Sequence, residues 1–406
     1  MKQLLFCVLF VFNSISIYAA QSLEISNWDL DAINASRIVY STKSNEDGGK
    51  NHYYLSPVMT NQHVTFLDYM TLKPLKTQSE QMVGEFAGVP VYDPDDRYVF
   101  ITTKDGWIRK YNLQTGNLEI KVRVGLKTAN SALSGNARFL LVGNQQPADL
   151  VFLNPDDLSV VQIIAVQNRK GILSPVTAVR NAGEQHGFII VPKNFPQIWK
   201  VSYLDPPPIG FGDGWNHDYR CLKDHMDKPL FPIKRLRIEQ ILTDLYIDEK
   251  NIYLTGINSS GEGIIFDLDL SRIVGQMDVS SIAPDMIWQT DDASELAVLN
   301  NDKTSLSFYN NISHLGKWKK AADIDVGHVS AIAACPKSEM IWLGSEAGKV
   351  QLINKYSHAV EKILPLAQGR INRISCTRDS KYVLMEMGDD KKSLVVYDNL
   401  KQKVIR

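Results

Sequence analysis

The chain has 406 residues, of which 44% are hydrophobic and 22% charged, and its formal net charge at pH 7 is −1. A near-neutral balance with scattered lysines argues against a nucleic-acid binder, which should show a concentrated basic face. The length suits two or three ordinary domains, or one closed repeat architecture.

In chain order, Met1 and Lys2 give a positive start, Leu4 to Val11 an apolar run, and small residues precede Gln21. This pattern predicts a secretory signal peptide over residues 1–20 and places the mature part, 21–406, in the periplasm or outside the cell. The apolar run is shorter than the roughly 20 residues that span a bilayer, and no later run is long enough, so a membrane-spanning protein is not expected.

From there one pattern recurs: a β-rich run, a polar or Gly turn, and a second β-rich run. It reads RYVFITTKDGWIRKYNLQTGN from Arg97, ARFLLVGNQQPADLVFLNPDDL from Ala137 and EMIWLGSEAGKVQLINKYSHA from Glu339. Further copies start at Asn251, Glu295 and Lys381, and looser ones at His52 and Gly187. The equivalent residues Tyr53, Tyr98, Phe139, Phe188, Ile252, Leu296, Met340 and Tyr382 lie 41 to 49 apart, except for one interval of 64. Such repeats predict an all-β fold: a single β-propeller of about eight four-stranded blades, because stacking around an axis buries both faces of each sheet. Seven blades with an irregular N-terminal segment is the alternative. Innermost strands are expected at Ala129–Leu133 and Val329–Ala333, and Arg37–Ser41 is expected to supply a missing strand that closes the ring.

The long interval contains DPPPIGFGDGWNHDYRCLKDHMDKPLFPIKR, and its prolines and glycines predict an irregular loop insertion at 205–236. Its aromatic residues argue for order, and a long connection of this kind marks one end of the propeller as the place to seek function. Within it His217, Cys221 and His225 are spaced four apart, so on a short helix they would share a face as a Zn or Cu ligand set. The plainer reading is a solvated loop whose cysteine packs on the propeller.

Outside the signal peptide, Cys335 and Cys376 occupy matching places in consecutive repeats and are the expected disulfide pair, with three buried free thiols as the alternative. The remaining histidines are scattered over different blades. Arg180, Arg370, Arg373, Asn130, Asn372 and Asp285 fall at or near innermost strands, where they either bind a ligand at the mouth or satisfy one another through water.

The run FAGVPVYDPDDRYVFITTKDGWIRKYNLQTG, Phe86 to Gly116, resembles the haem d1 propeller family, and the resemblance extends over most of the chain; YVTN-type and WD40-type propellers share the hairpin wording. It implies a propeller that holds haem d1 or a related tetrapyrrole. In that family a histidine just ahead of the R-Y run ligates the iron, whereas Phe86 to Tyr92 contains none, and the blade from Ala283 carries Trp288 and Gln289 instead. Arginines are then the expected holders of cofactor carboxylates, with Arg123, Arg138 and Arg180 as nominal candidates beside Arg370 and Arg373.

No nucleophile, base and orienting group come together in the sequence, so the first expectation is non-enzymatic: an exported propeller binding a partner protein or a tetrapyrrole-like ligand. The alternative is a haem d1-related cofactor-assembly or redox enzyme. A metal-dependent lactonase-like hydrolase comes third.

Overall fold

A computed structural model describes residues 28–40, 55–60, 63–68, 85–183, 187–205, 230–247, 253–278, 287–289, 294–300, 302–312, 317–335, 338–366, 369–377, 379–388 and 393–405. The expected signal peptide therefore lies outside the described residues, as do His217, Cys221, His225 and Asp285.

The β-rich runs form antiparallel four-stranded meanders arranged as a propeller. Blade 1 holds Val91–Tyr92, Tyr98–Thr102, Trp107–Asn112 and Leu118–Arg123, and blade 2 holds Lys127–Leu133, Leu140–Gln146, Asp149–Leu153 and Val160–Ala165. Blade 3 is Val176–Ala182, Gly187–Pro192, Gln197–Ser202 and Ile233–Arg237; blade 4 is Asp244–Ile247, Tyr253–Ile257, Glu262–Asp267 and Arg272–Asp278. Blade 5 is Ile287–Gln289, Glu295–Leu299, Ser305–Ile312 and Lys317–Asp325; blade 6 is Val329–Ala334, Met340–Ser345, Lys349–Asn354 and Ala359–Pro365. Blade 7 is Ile371–Cys376, Tyr382–Met387, Ser393–Asp398 and Lys403–Val404. A parallel bridge between Gln276 and Lys317 joins the outer strands of blades 4 and 5.

Seven four-stranded blades among the described residues correct the expectation of eight, in favour of the alternative. The copy at His52 forms a two-stranded sheet, Leu55–Thr60 with His63–Asp68. Side chains alternate across a strand, and this hairpin uses both of its faces. Val64 and Phe66 pack on Val99, Ile101 and Tyr111 of blade 1, while Leu67 packs on Tyr382, Leu384 and Val396 of blade 7. The hairpin thus sits between the first and last blades and closes the ring. Ile38–Val39, expected to close it, instead pairs with the outer strand of blade 1 as a fifth strand. It follows a short helix α1, Leu30–Ser36, whose first turn is capped by the Asp29 carboxylate accepting from Ala32 N at 3.1 Å.

The same alternation explains why blade strands read as continuous apolar runs rather than alternating ones. In blade 2, Leu140, Val142, Val151 and Leu153 face blade 1, while Leu141, Leu150 and Phe152 face blade 3, and all are buried. Close approach requires glycine where the next inner strand leans in: a Cβ at Gly143 would lie 2.5 Å from Val179, and one at Gly344 2.7 Å from Ile371. Lysines latch neighbouring blades through carbonyls, Lys110 Nζ to Asp156 O at 2.7 Å and Lys200 Nζ to Leu268 O at 3.3 Å.

Cys335 and Cys376 form the expected disulfide, with Cα atoms 5.5 Å apart, tying the inner strands of blades 6 and 7. The long interval is the connection from Gln197–Ser202 to Ile233–Arg237 in blade 3; residues 206–229 lie outside the described set. Where the chain returns, Phe231 is buried, stacked on Phe152 at 3.8 Å and edge-on to Phe139 at 4.9 Å.

Candidate ligand-binding mouth

Each inner strand starts at one end of the ring, called here the upper end, beside the turn between the second and third strands of its blade. The inner strands of blades 2, 3, 6 and 7 share a register shift one residue in: between Thr128 and Asn130, Val176 and Ala178, Val329 and Ala331, and Ile371 and Arg373. A bulge re-aims the residues around it. The shared bulge makes positions equivalent from blade to blade: Lys127, Pro175, His328 and Arg370 lie just above it, and Asn130, Ala178, Ala331 and Arg373 just below.

The polar side chains at this level divide into two groups. Asn130 is a structural clamp, its Nδ2 donating to Val179 O and its Oδ1 accepting from Val179 N, both at 2.8 Å. Ser330 Oγ donates to Ile371 O at 2.7 Å and Asn372 Nδ2 to Gly388 O at 2.7 Å, so both are satisfied by backbone. The cations are different. Arg373 is partly buried, its guanidinium 5.8 Å from the centre of the Phe86 ring. Burial lowers the pKa of Arg373, and the carboxylate of buried Glu386 opposes that shift. Arg370 is half exposed, 4.0 Å from Glu346, an exposed pair worth little. His328 and Lys127 are exposed on the same rim.

Of the remaining arginines, Arg180 lies lower on the inner strand of blade 3 and donates from Nη1 to Val179 O at 3.0 Å. Arg123 ends the outer strand of blade 1, at the periphery, held by Asp105 O at 3.0 Å with its guanidinium 5.1 Å from the Trp28 ring. Arg138 is exposed in the turn that follows the inner strand of blade 2, at the opposite end. The upper mouth therefore gathers Arg370 and Arg373 and leaves Arg123 and Arg138 apart. Among the described residues, no group of three or more His, Cys, Asp or Glu comes together to hold a metal ion.

His328, Lys127, Phe86 and Glu386 were not singled out from the sequence. The signal for His328 was present in the repeat: VGHVSAI before blade 6 aligns with QGRINRI before blade 7, which sets His328 against Arg370. Also at the upper end, Asp149 is buried, accepts from Asn144 Nδ2 at 2.8 Å, and has its pKa pushed up to about 7 by burial, a shift that this hydrogen bond opposes.

The Cytochrome D1 heme domain profile matches residues 55–406. The chain belongs to the Cytochrome D1 heme domain family. The dihydro-heme d1 dehydrogenase of Pseudomonas aeruginosa is 28% identical over 346 residues, covering 83% of this chain and 64% of that protein. The chain thus spans less than two thirds of that relative's length. The solved dihydro-heme d1 dehydrogenase NirN in complex with DHE superposes with a TM-score of 0.76 at 25% identity, covering 94% of this chain and 79% of that one. The Myceliophteria thermophila Cps50 (Swd1) β-propeller domain matches at a TM-score of 0.53 and 12% identity, over 75% of this chain and 93% of its own, and shows the fold alone. As a Cytochrome D1 heme domain protein, the chain fits the haem d1-related reading better than that of a non-catalytic partner binder.

Proposed function

We propose that this exported, periplasmic propeller binds a d1-type tetrapyrrole at its upper mouth and serves haem d1 assembly or redox chemistry. The observation that carries the reading is Arg373, a partly buried guanidinium beside the Phe86 ring. Desolvated cations bind carboxylates tightly, and an aromatic face suits a flat macrocycle. Arg370 on the rim gives a second carboxylate partner. The first-blade stretch offers the iron no imidazole: Gly88 there has φ +81°, and a Cβ at this position would lie 3.0 Å from Asn130 Cβ. The imidazole available on the described rim is His328, from blade 6. When bound, the macrocycle supplies the redox chemistry; the chain's residues hold its carboxylates, cover its face and present His328.

The test is a visible absorption titration of the purified protein with haem d1 and with ordinary haem. A saturable shift at micromolar haem d1 is expected, with an affinity loss of roughly tenfold or more in Arg373→Gln, the cost of a charge-assisted pair. Absence of any shift returns the chain to the partner-binding reading.

A further inference from the structure

We propose that the turn joining blades 2 and 3, residues 166–174, is a finger that docks the propeller on an anionic lipid surface. The finger is ordered by its own hydrogen bonds. Ser174 N donates to Val166 O at 2.8 Å, Asn168 N to Ile172 O at 3.0 Å, and Gly171 N to Asn168 O at 3.0 Å. Asn168 Oδ1 accepts from Lys170 N at 2.9 Å and Ile172 N at 3.0 Å. Gly171 takes φ +78°, and a Cβ there would meet nothing within 4 Å, so the tip stands in open space.

That tip is apolar and basic at once. Ile172 is 55% and Leu173 53% exposed, and neither belongs to an inter-blade cluster. Arg169 and Lys170 precede them, also exposed, and Lys193, whose N donates to Pro175 O, is exposed at the base. The neighbouring upper loops add exposed Lys127, Arg237 and Ile241, and also carry the exposed carboxylates of Glu239, Glu262 and Glu85, the last paired with Lys104. Among the described residues Ile172 and Leu173 are the most exposed pair of adjacent aliphatic residues, and the cations Arg169 and Lys170 stand directly beside them.

Two occupants suit that chemistry, an acidic protein surface and an anionic bilayer. Gln167 and Leu173 form an antiparallel bridge, so the consecutive Ile172 and Leu173 project to opposite sides of the ribbon. A flat protein face would cover one of them. A headgroup layer surrounds an inserted tip and covers both, while basic residues at its flanks meet lipid phosphates.

The experiment is co-sedimentation of the full chain with vesicles of phosphatidylcholine containing about 30% phosphatidylglycerol, and with pure phosphatidylcholine vesicles. The protein is expected to sediment with the first and not the second. Ile172→Asp with Leu173→Asp, and separately Arg169→Glu with Lys170→Glu, should each lower the bound fraction by about tenfold or more. Unchanged thermal midpoints in these surface variants show that folding is intact. Wild-type protein left in the supernatant with both vesicles overturns the assignment, as does vesicle binding that survives the aspartate pair. A photo-crosslinker at position 172 that captures a protein, without vesicle binding, gives the surface to an acidic protein and also overturns it.

Discussion

Asp149 shows what a single buried group does to this molecule. Its side chain opens the third strand of blade 2, where Asn144 binds it while also donating to Val124 O and accepting from Thr128. Burial raises its pKa from an ordinary 3.8 to about 7, so the folded state holds the proton more tightly than the unfolded chain. The stability of that neutral form is fully present below about pH 4 and is lost as pH rises through 7, by an amount on the order of a few kcal/mol. Asp149→Asn keeps the acceptor for Asn144 and removes the ionisation. It should unfold at higher urea than wild type at pH 8, by a smaller margin at pH 5, and at similar urea near pH 4; an unchanged pH slope in the variant would refute the account. The pattern NQQPAD gave no warning of this, because a carboxylate in a turn reads as solvated until the neighbouring blade is placed over it.

At the scale of elements, the disulfide joins strands that are neighbours in space and 41 residues apart in sequence. Closing a loop of that size restricts the unfolded chain by about 4 kcal/mol in the chain-entropy account. Reductant should therefore lower the urea midpoint of the wild type and leave that of Cys335→Ala with Cys376→Ala unmoved; equal sensitivity in both would show that the bond carries no stability. This pairing was legible from matching repeat positions. The expected strand at Arg37–Ser41 was half legible: its β-branched residues do pair, but as a fifth strand on blade 1. Which open edge a strand joins depends on which edge is nearest, and α1, with Asp29 as its cap, turns the chain toward blade 1 before the strand begins.

For the whole molecule, ring closure rests on a hairpin with two working faces. Phe66 is 1% exposed against blade 1 and Leu67 1% exposed against blade 7. Phe66→Ala should cost about 3–5 kcal/mol, the loss expected for a fully buried aromatic side chain. Blades 1 and 7 should then gain amide exchange before the interior blades do; uniform exchange across all blades would mean that the hairpin is not the closing element. The expectation of eight blades counted this copy as equal to the others, since its wording repeats theirs. It contributes two described strands instead of four, a difference that periodicity of single residues does not report.

By itself the sequence determined that this chain is a β-propeller, because 41-to-49-residue repeats of β-branched runs and Gly or Asn turns have one economical way to bury both sheet faces. It also pointed to Cys335 and Cys376 as the pair if a disulfide forms, and to the family that its first blade resembles, while the structure decided that the bond is made. Tertiary structure decided what each polar residue at the mouth meets. Asn130, Ser330 and Asn372 sit on inner strands as Arg370 and Arg373 do, yet backbone groups of adjacent strands bind them, while Arg370 and Arg373 stand near the carboxylates of Glu346 and Glu386 at the mouth. That distinction rests on register: a bulge of one residue sets which side chain meets the neighbouring strand and which faces the opening, and register exists only once blades are stacked.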